Sequence, residues 1–304
     1  MLRMVLKLIL FLALALVVLA AAGLAFLRFW PSVGSLPDRA ERAQLERRSA
    51  HYAGGTFQNE HEITTMTGSA DPSSDRKKPC AMLPAVTPEI DVLFVSHDHY
   101  DHLDYRTIRA LKDRVGAFVV PLGIDAILRG WGVEAEKIRA LDWWESVELG
   151  GVTFTLTPAQ HFSGRNPLKA NSTLWGGMYA DNGLHRVYYT GDGGYYEVFS
   201  EVRERLGAPE LMLAECGQYD SAWAQIHMTP EQTVQAVLDA GAAWLIPVHW
   251  GSFCICNHAW DDSIRRVTAA AESAGIQIAT PEIGRTVDYD ELSDCTQRWW
   301  EAYE

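Results

Sequence analysis

Val92-Leu93-Phe94-Val95 runs directly into Ser96-His97-Asp98-His99-Tyr100-Asp101-His102-Leu103-Asp104. The apolar run reads as a buried strand. Three imidazoles and three carboxylates then fall between His97 and Asp104. Alternate side chains of an extended segment point the same way, which lets His97 and His99 converge on one point. Asp101 and His102, where the chain turns toward the next helix, can converge on a second. Nitrogen and carboxylate donors in this arrangement suit zinc in four- or five-coordinate sites. An exposed polar loop would explain a lone His-x-His. The full HxHxDH spacing at the carboxyl end of a strand, where open α/β sheets place their sites, points to a metal centre instead.

One loop holds too few donors for two ions, so isolated His and Asp residues at other strand ends matter. His161 follows the expected strand 152–156, Asp192 follows 185–189, and His249 ends 243–248. Each alone reads as an ordinary turn residue or a hydrogen-bonded histidine. Asp192 sits in Thr190-Gly191-Asp192-Gly193-Gly194, where glycine lets the backbone turn sharply enough to aim a carboxylate.

Together these segments resemble the metallo-β-lactamase fold hydrolases, and among them the branch of N-acylphosphatidylethanolamine-hydrolysing phospholipase D and its bacterial relatives. The similarity rests on the HxHxDH stretch, Asp142-Trp143-Trp144, Thr157-Pro158-Ala159-Gln160-His161-Phe162, Gly191-Asp192-Gly193-Gly194-Tyr195 and His249-Trp250-Gly251, and extends over about residues 90–284. The resemblance implies an αββα sandwich with two Zn²⁺ per chain. It implies that His97, His99 and His161 bind one ion, that Asp101, His102 and His249 bind the other, and that Asp192 bridges them. Asp101 and Asp192 then serve catalysis as well as binding. Zinc lowers the pKa of the water it holds from 15.7 to about 7, so a hydroxide nucleophile exists at neutral pH without a serine or cysteine. The resemblance further places His227 near the substrate, to position it or assist proton transfer, although a helix-entry residue is the plainer reading. Arg165 is a candidate partner for a phosphate oxygen, or a solvated arginine. Asp98 and Asp104 are expected to support ligands or cap a helix, and Trp143 and Trp144 to pack in the core. His51, His61, His185 and His258 read as surface residues.

The 304 residues and 48% hydrophobic content allow one large domain or two small ones. A net charge of −13 argues against nucleic acid as a partner, because phosphate backbones are held by Lys and Arg. Five cysteines, Cys80, Cys216, Cys254, Cys256 and Cys295, have no disulfide spacing and read as buried thiols.

Residues 8–27 are an uncharged, mostly aliphatic run of twenty, long enough to span a bilayer as a helix and longer than a usual signal-peptide core. Segment 1–30 is therefore expected to be a transmembrane anchor rather than a cleaved signal, making the protein single-pass in a bacterial inner membrane, with the side of the catalytic domain left open. Segment 31–89 reads as a stalk over 38–51 and then mostly loop. The strand pair, the Gly-His-Ser/Thr turn and the Asp-Pro that relatives carry there are not evident, Asp71-Pro72 being a poor substitute, so part of the first sheet is expected to be missing. From residue 90 strands and helices alternate to about 290. Gly150-Gly151 and Asp181-Asn182-Gly183 mark hairpins, and Thr229-Pro230-Glu231-Gln232 opens a helix. Residues 291–304 read as a tail.

The expected protein is a membrane-anchored zinc phosphodiesterase acting on a membrane lipid such as N-acylphosphatidylethanolamine. The alternatives are a hydrolase of another ester, such as a sugar-phosphate lactone, and a non-catalytic membrane-anchored binding domain.

Overall fold

A computed structural model describes residues 38–53, 56–58, 87–166, 168–251, 256 and 258–303. Among these, no helix is long and apolar enough to cross a membrane. The apolar run 8–27, His61, Asp71, Pro72, Cys80 and Cys254 lie outside the described residues.

Two sheets pack face to face. The first is a parallel sheet of β3 (Ile90–Phe94), β4 (Val115–Pro121) and β5 (Ile138–Leu141). The second contains β6 (Ser146–Leu149), β7 (Val152–Thr157), β8 (Gly177–Asp181), β9 (Arg186–Tyr189), β10 (Leu211–Glu215), β11 (Trp244–Val248) and β12 (Gln277–Ile278), which lie side by side in chain order. Strands β6 to β9 run antiparallel through the expected hairpins, with Leu149 opposite Val152 and Asp181 opposite Arg186. Strands β9 to β12 are parallel, joined by helical crossovers.

Three apolar layers hold this αββα sandwich together. Between the sheets, Val119, Leu141, Trp143, Leu156, Trp175 and Met178 interlock. Helices α2 (Tyr105–Leu111) and α3 (Ile124–Gly130) cover the outer face of the first sheet through Ile108, Leu111, Ile124 and Ile127. Helices α4 (Val198–Leu206), α5 (Pro230–Ala240) and α6 (Asp262–Ala274) cover the second through Val202, Val237, Ile264 and Val267. Helix α5 begins with the capping box read in the sequence, Thr229 and Gln232 each accepting the other's backbone N–H.

Three expectations change at the periphery. The charged stretch expected as a solvated stalk forms helix α1 (Arg39–Arg48), which buries Leu45 and donates from Arg48 to the Ala140 carbonyl at 2.7 Å and to Glu145 at 2.6 Å. Within the stretch read as loop, β1 (Tyr52–Ala53) and β2 (Thr56–Phe57) pair as a hairpin whose Tyr52 and Phe57 enter the core between the sheets. These two-residue strands lack the length for periodicity to register, and burial of their aromatic rings stabilises them. The segment read as a tail packs onto the domain: Leu292, Cys295 and Trp300 are buried, Trp300 against the layer outside the second sheet.

Candidate metal centre

The loops at the carboxyl ends of β3, β7, β9 and β11 bring the candidate donors to one place. After β3, Ser96 Oγ lies 3.0 Å from His97 Nδ1 and 3.4 Å from His102 Nδ1, which leaves Nε2 of both rings aimed inward. Asp104 caps α2 by accepting from Thr107 N–H at 2.7 Å, fixing the turn that carries Asp101 and His102. Beyond β7, His161 Nδ1 contacts the Ile226 carbonyl at 3.2 Å, and its Nε2 faces the same centre. After β9, Gly191 has φ +65° and its α-carbon stands so close to the Gly176 carbonyl that a Cβ would lie 2.6 Å from the oxygen. Only glycine fits there, and the turn it permits delivers Asp192. His249, after β11, has φ 65°, a sparsely populated conformation for a residue other than glycine.

The donors separate into two sets that share one carboxylate. His97 Nε2 and His99 Nδ1 are 2.9 Å apart, and His161 Nε2 is 3.3 Å from His99 Nδ1. His102 Nε2 and His249 Nε2 are 3.2 Å apart, with Asp101 Oδ2 at 3.5 and 3.6 Å from them. Asp192 Oδ2 lies between the sets, 3.2 Å from both His102 and His249, 3.9 Å from His97 and 4.0 Å from His161. Ligand atoms held 2.0–2.1 Å from one tetrahedral zinc stand about 3.3 Å apart, so these spacings fit ions of that size. The other Asp192 oxygen, Oδ1, is buried without a hydrogen-bond partner, as a carboxylate built to meet a cation would be.

The electrostatics agree with that fit. Burial holds His97 and His161 well below the ordinary histidine range and His99 at about 4, so these three are neutral donors. Burial opposes ionisation of Asp192 and Asp101, but His102 and His249 outweigh it and keep both carboxylates below their usual range. Burial also opposes charge on His102, yet Asp192 and Asp101 lift it to about 9; His249 is raised as well, by Asp192, Asp101 and Glu215. A dication displaces such protons on binding.

The remaining candidates divide. His227 is buried beside the cluster, its ring 5.3 Å from His161 and stacked on His249 at 5.5 Å. Arg165 is 1% exposed: its guanidinium lies over the Tyr100 and Trp131 rings at 4.3 and 4.9 Å and donates to the Asp98 carbonyl at 2.7 Å. Asp98 accepts in turn from Gly164 N–H at 3.0 Å. Arg165 is thus buried rather than solvated, and with Asp98 it clamps the HxHxDH loop to the loop after His161. Trp143 is buried and donates to the Trp175 carbonyl, while Trp144 lies under Arg205. His51 packs on Trp143.

Glu215 was not singled out by the sequence. It ends β10, is fully buried, and accepts from Met228 N–H at 2.9 Å with His227 Nδ1 at 3.3 Å. Burial would raise its pKa, but His227 and His249 hold it below the usual carboxylate range. The available signal was a carboxylate closing the apolar run Leu211-Met212-Leu213-Ala214, an unfavourable place unless partnered.

An αββα sandwich with paired histidine and carboxylate donor sets at one end of its strands defines a metal-dependent hydrolase type of centre. The chain belongs to the β-lactamase superfamily, whose domain matches residues 63–250. It is 43% identical over 208 residues to an uncharacterized protein of Mycobacterium tuberculosis, covering 67% of this chain and 56% of that one. It is 29% identical to the mitochondrial N-acyl-phosphatidylethanolamine-hydrolyzing phospholipase D of Saccharomyces cerevisiae, over 67% of this chain and 46% of that protein. The identity is 33% to N-acyl-phosphatidylethanolamine-hydrolyzing phospholipase D 1 of Caenorhabditis elegans, over 59% and 53%. The chain thus spans about half the length of these relatives. Among solved structures, the metallo hydrolase Igni18 of Ignicoccus hospitalis shares the fold, with a TM-score of 0.53, 21% identity and coverage of 66% and 79%.

Proposed function

We propose that this protein is a zinc-dependent phosphodiesterase that hydrolyses a membrane phospholipid of the N-acylphosphatidylethanolamine type, releasing phosphatidic acid. The observation that carries the reading is Asp192 Oδ2, placed within 4.0 Å of four imidazole nitrogens drawn from both donor sets. His97, His99 and His161 would hold one Zn²⁺, Asp101, His102 and His249 a second, and Asp192 would bridge them. When bound, a zinc pair supplies a nucleophile from water at neutral pH and Lewis acidity at the phosphoryl oxygens. The lipid preference rests on the two phospholipase D relatives, and the apolar run 8–27 supports a membrane anchor that keeps the site near its substrate.

The protein residues then have separate tasks. In hydrolysis a water oxygen bonds to phosphorus and the bond from phosphorus to the N-acylethanolamine oxygen breaks, so that oxygen needs a proton. His227, whose Nδ1 faces Glu215, offers Nε2 for that transfer. Asp192 and Asp101 would hold negative charge beside the bound ions, and the Arg165–Asp98 clamp keeps His97 and His99 in register with His161.

The test is full-length protein in detergent, loaded with zinc and given mixed micelles of N-acylphosphatidylethanolamine, with phosphatidic acid measured by mass spectrometry. Two zinc ions per chain and product formation, both lost in Asp192→Asn, are expected. Activity on soluble esters with none on the phospholipid would overturn the substrate assignment.

A further inference from the structure

Glu215 carries a charge into the interior without belonging to the donors grouped around Asp192. Its backbone is held on both sides: its N–H donates to Thr190 Oγ1 at 3.2 Å, and its carbonyl accepts from Thr233 Oγ1 at 2.8 Å. One carboxylate faces two imidazoles. Oε1 lies 3.3 Å and Oε2 3.4 Å from His227 Nδ1; Oε2 is also 3.6 Å from His249 Nδ1, just beyond hydrogen-bond length, and that nitrogen is buried with no hydrogen-bond partner. The two rings are stacked within 19° of parallel, so their Nδ1 edges turn toward the same carboxylate. Parallel pairing sets Glu215 opposite Val248, the residue before His249, which places the carboxylate there by register.

We propose that Glu215 is a positioning residue that fixes the tautomer of both His249 and His227 and thereby couples the second metal subsite to the proton-transferring histidine. The proposal rests on the dinuclear reading above. An imidazole that gives its Nδ1 proton to a carboxylate presents a lone pair at Nε2 and binds metal through it. For His249 that atom is the one 3.2 Å from Asp192 Oδ2. The same carboxylate leaves His227 with Nε2 as the atom that exchanges a proton with substrate. A buried carboxylate shared in this way also restrains the two rings relative to one another.

The isosteric change Glu215→Gln separates this role from simple packing. Glutamine has a single acceptor oxygen, which the Met228 N–H and His227 Nδ1 occupy in the present arrangement. Its amide N–H then faces His249 Nδ1 and favours the tautomer protonated at Nε2, which cannot bind metal there. His227→Gln leaves Glu215 free to hold His249.

The experiment uses the full chain in detergent, stripped of metal, with Zn²⁺ affinities measured by competition against a chromophoric chelator. For Glu215→Gln we expect one affinity step to fall by about 10–100-fold while the other keeps its parent value. For His227→Gln we expect both metal affinities to stay within about two-fold of the parent, with kcat reduced. Parent-like affinities in a folded Glu215→Gln protein would overturn the proposal. Should that variant not fold, imidazole ¹⁵N spectra of the zinc-loaded parent decide the matter: a proton on Nδ1 of His249 and of His227 supports the proposal, and its absence from either ring overturns it. A parent with this metal pattern and no phospholipid hydrolysis would refute the substrate assignment alone. A parent that binds no zinc would refute both.

Discussion

Gly217 offers a test of how tightly the backbone holds the metal centre. A Cβ added at this position would lie 1.7 Å from the His249 carbonyl oxygen and 2.5 Å from its carbonyl carbon. Both are backbone atoms, so no side-chain rotation relieves the clash in Gly217→Ala. Ordinary carbon-to-oxygen contacts are about 3.3 Å or longer, so the two backbone segments must open by about 1.6 Å. Metal ligands tolerate roughly 0.2 Å, and even a quarter of that movement reaching His249 Nε2, about 0.4 Å, breaks its contribution. His249 has little slack to absorb it, because its φ is already positive and Gln218 Nε2 is 3.5 Å from its carbonyl. Overpacking of this kind costs about 1–3 kcal/mol of stability, and misplacement on the order of 1 Å costs about 10²-fold in rate. On the proposed dinuclear zinc reading, the expected protein is folded, with a Tm several degrees lower, one zinc per chain by elemental analysis instead of two, and hydrolysis reduced at least ~100-fold. A folded Gly217→Ala protein with two ions and parent activity would refute the claim that this close approach sets the position of His249.

Arg165→Met keeps an unbranched apolar stem but removes a buried charge-assisted hydrogen bond and two ring contacts. A loss of about 3 kcal/mol and a Tm lower by roughly 10 °C are expected; a raised KM at unchanged Tm would instead mark Arg165 as a substrate contact. Tyr179, buried with its hydroxyl donating to the Gly207 carbonyl at 3.0 Å, has its pKa pushed up from 10.0 to about 12 by burial. Its folded pKa exceeds its unfolded one, so its contribution to stability is complete below pH 10.0 and is lost as pH rises through about 12. Denaturant titrations from pH 9 upward should show a shallower alkaline decline in Tyr179→Phe than in the parent, and identical slopes would show that the hydroxyl does not govern it.

The first strand and its donors are legible from residues close in sequence. An apolar run followed by HxHxDH encodes both a strand end and the direction of the side chains, because alternation in an extended chain is a local property. The capping box at Thr229 and the hairpins at Gly150-Gly151 and Asp181-Asn182-Gly183 are legible for the same reason. His161, Asp192 and His249 could be named as strand-end residues, and similarity of the whole pattern supplied their order around the centre.

What the sequence by itself determined is therefore the type of fold and the list of candidate donors. Tertiary structure alone decided which other side chains hold those donors in place. Glu215 meets His249 only because β10 and β11 run parallel with Glu215 opposite Val248. Arg165 is a clamp rather than a solvated cation only because Trp131, the residue capping α3 after Gly130, brings its ring beneath the guanidinium. The hairpin at Tyr52 and the segment around Trp300 join the core through contacts with residues far away along the chain. No local period encodes such contacts, because burial of one side chain depends on surfaces that exist only once distant segments have come together.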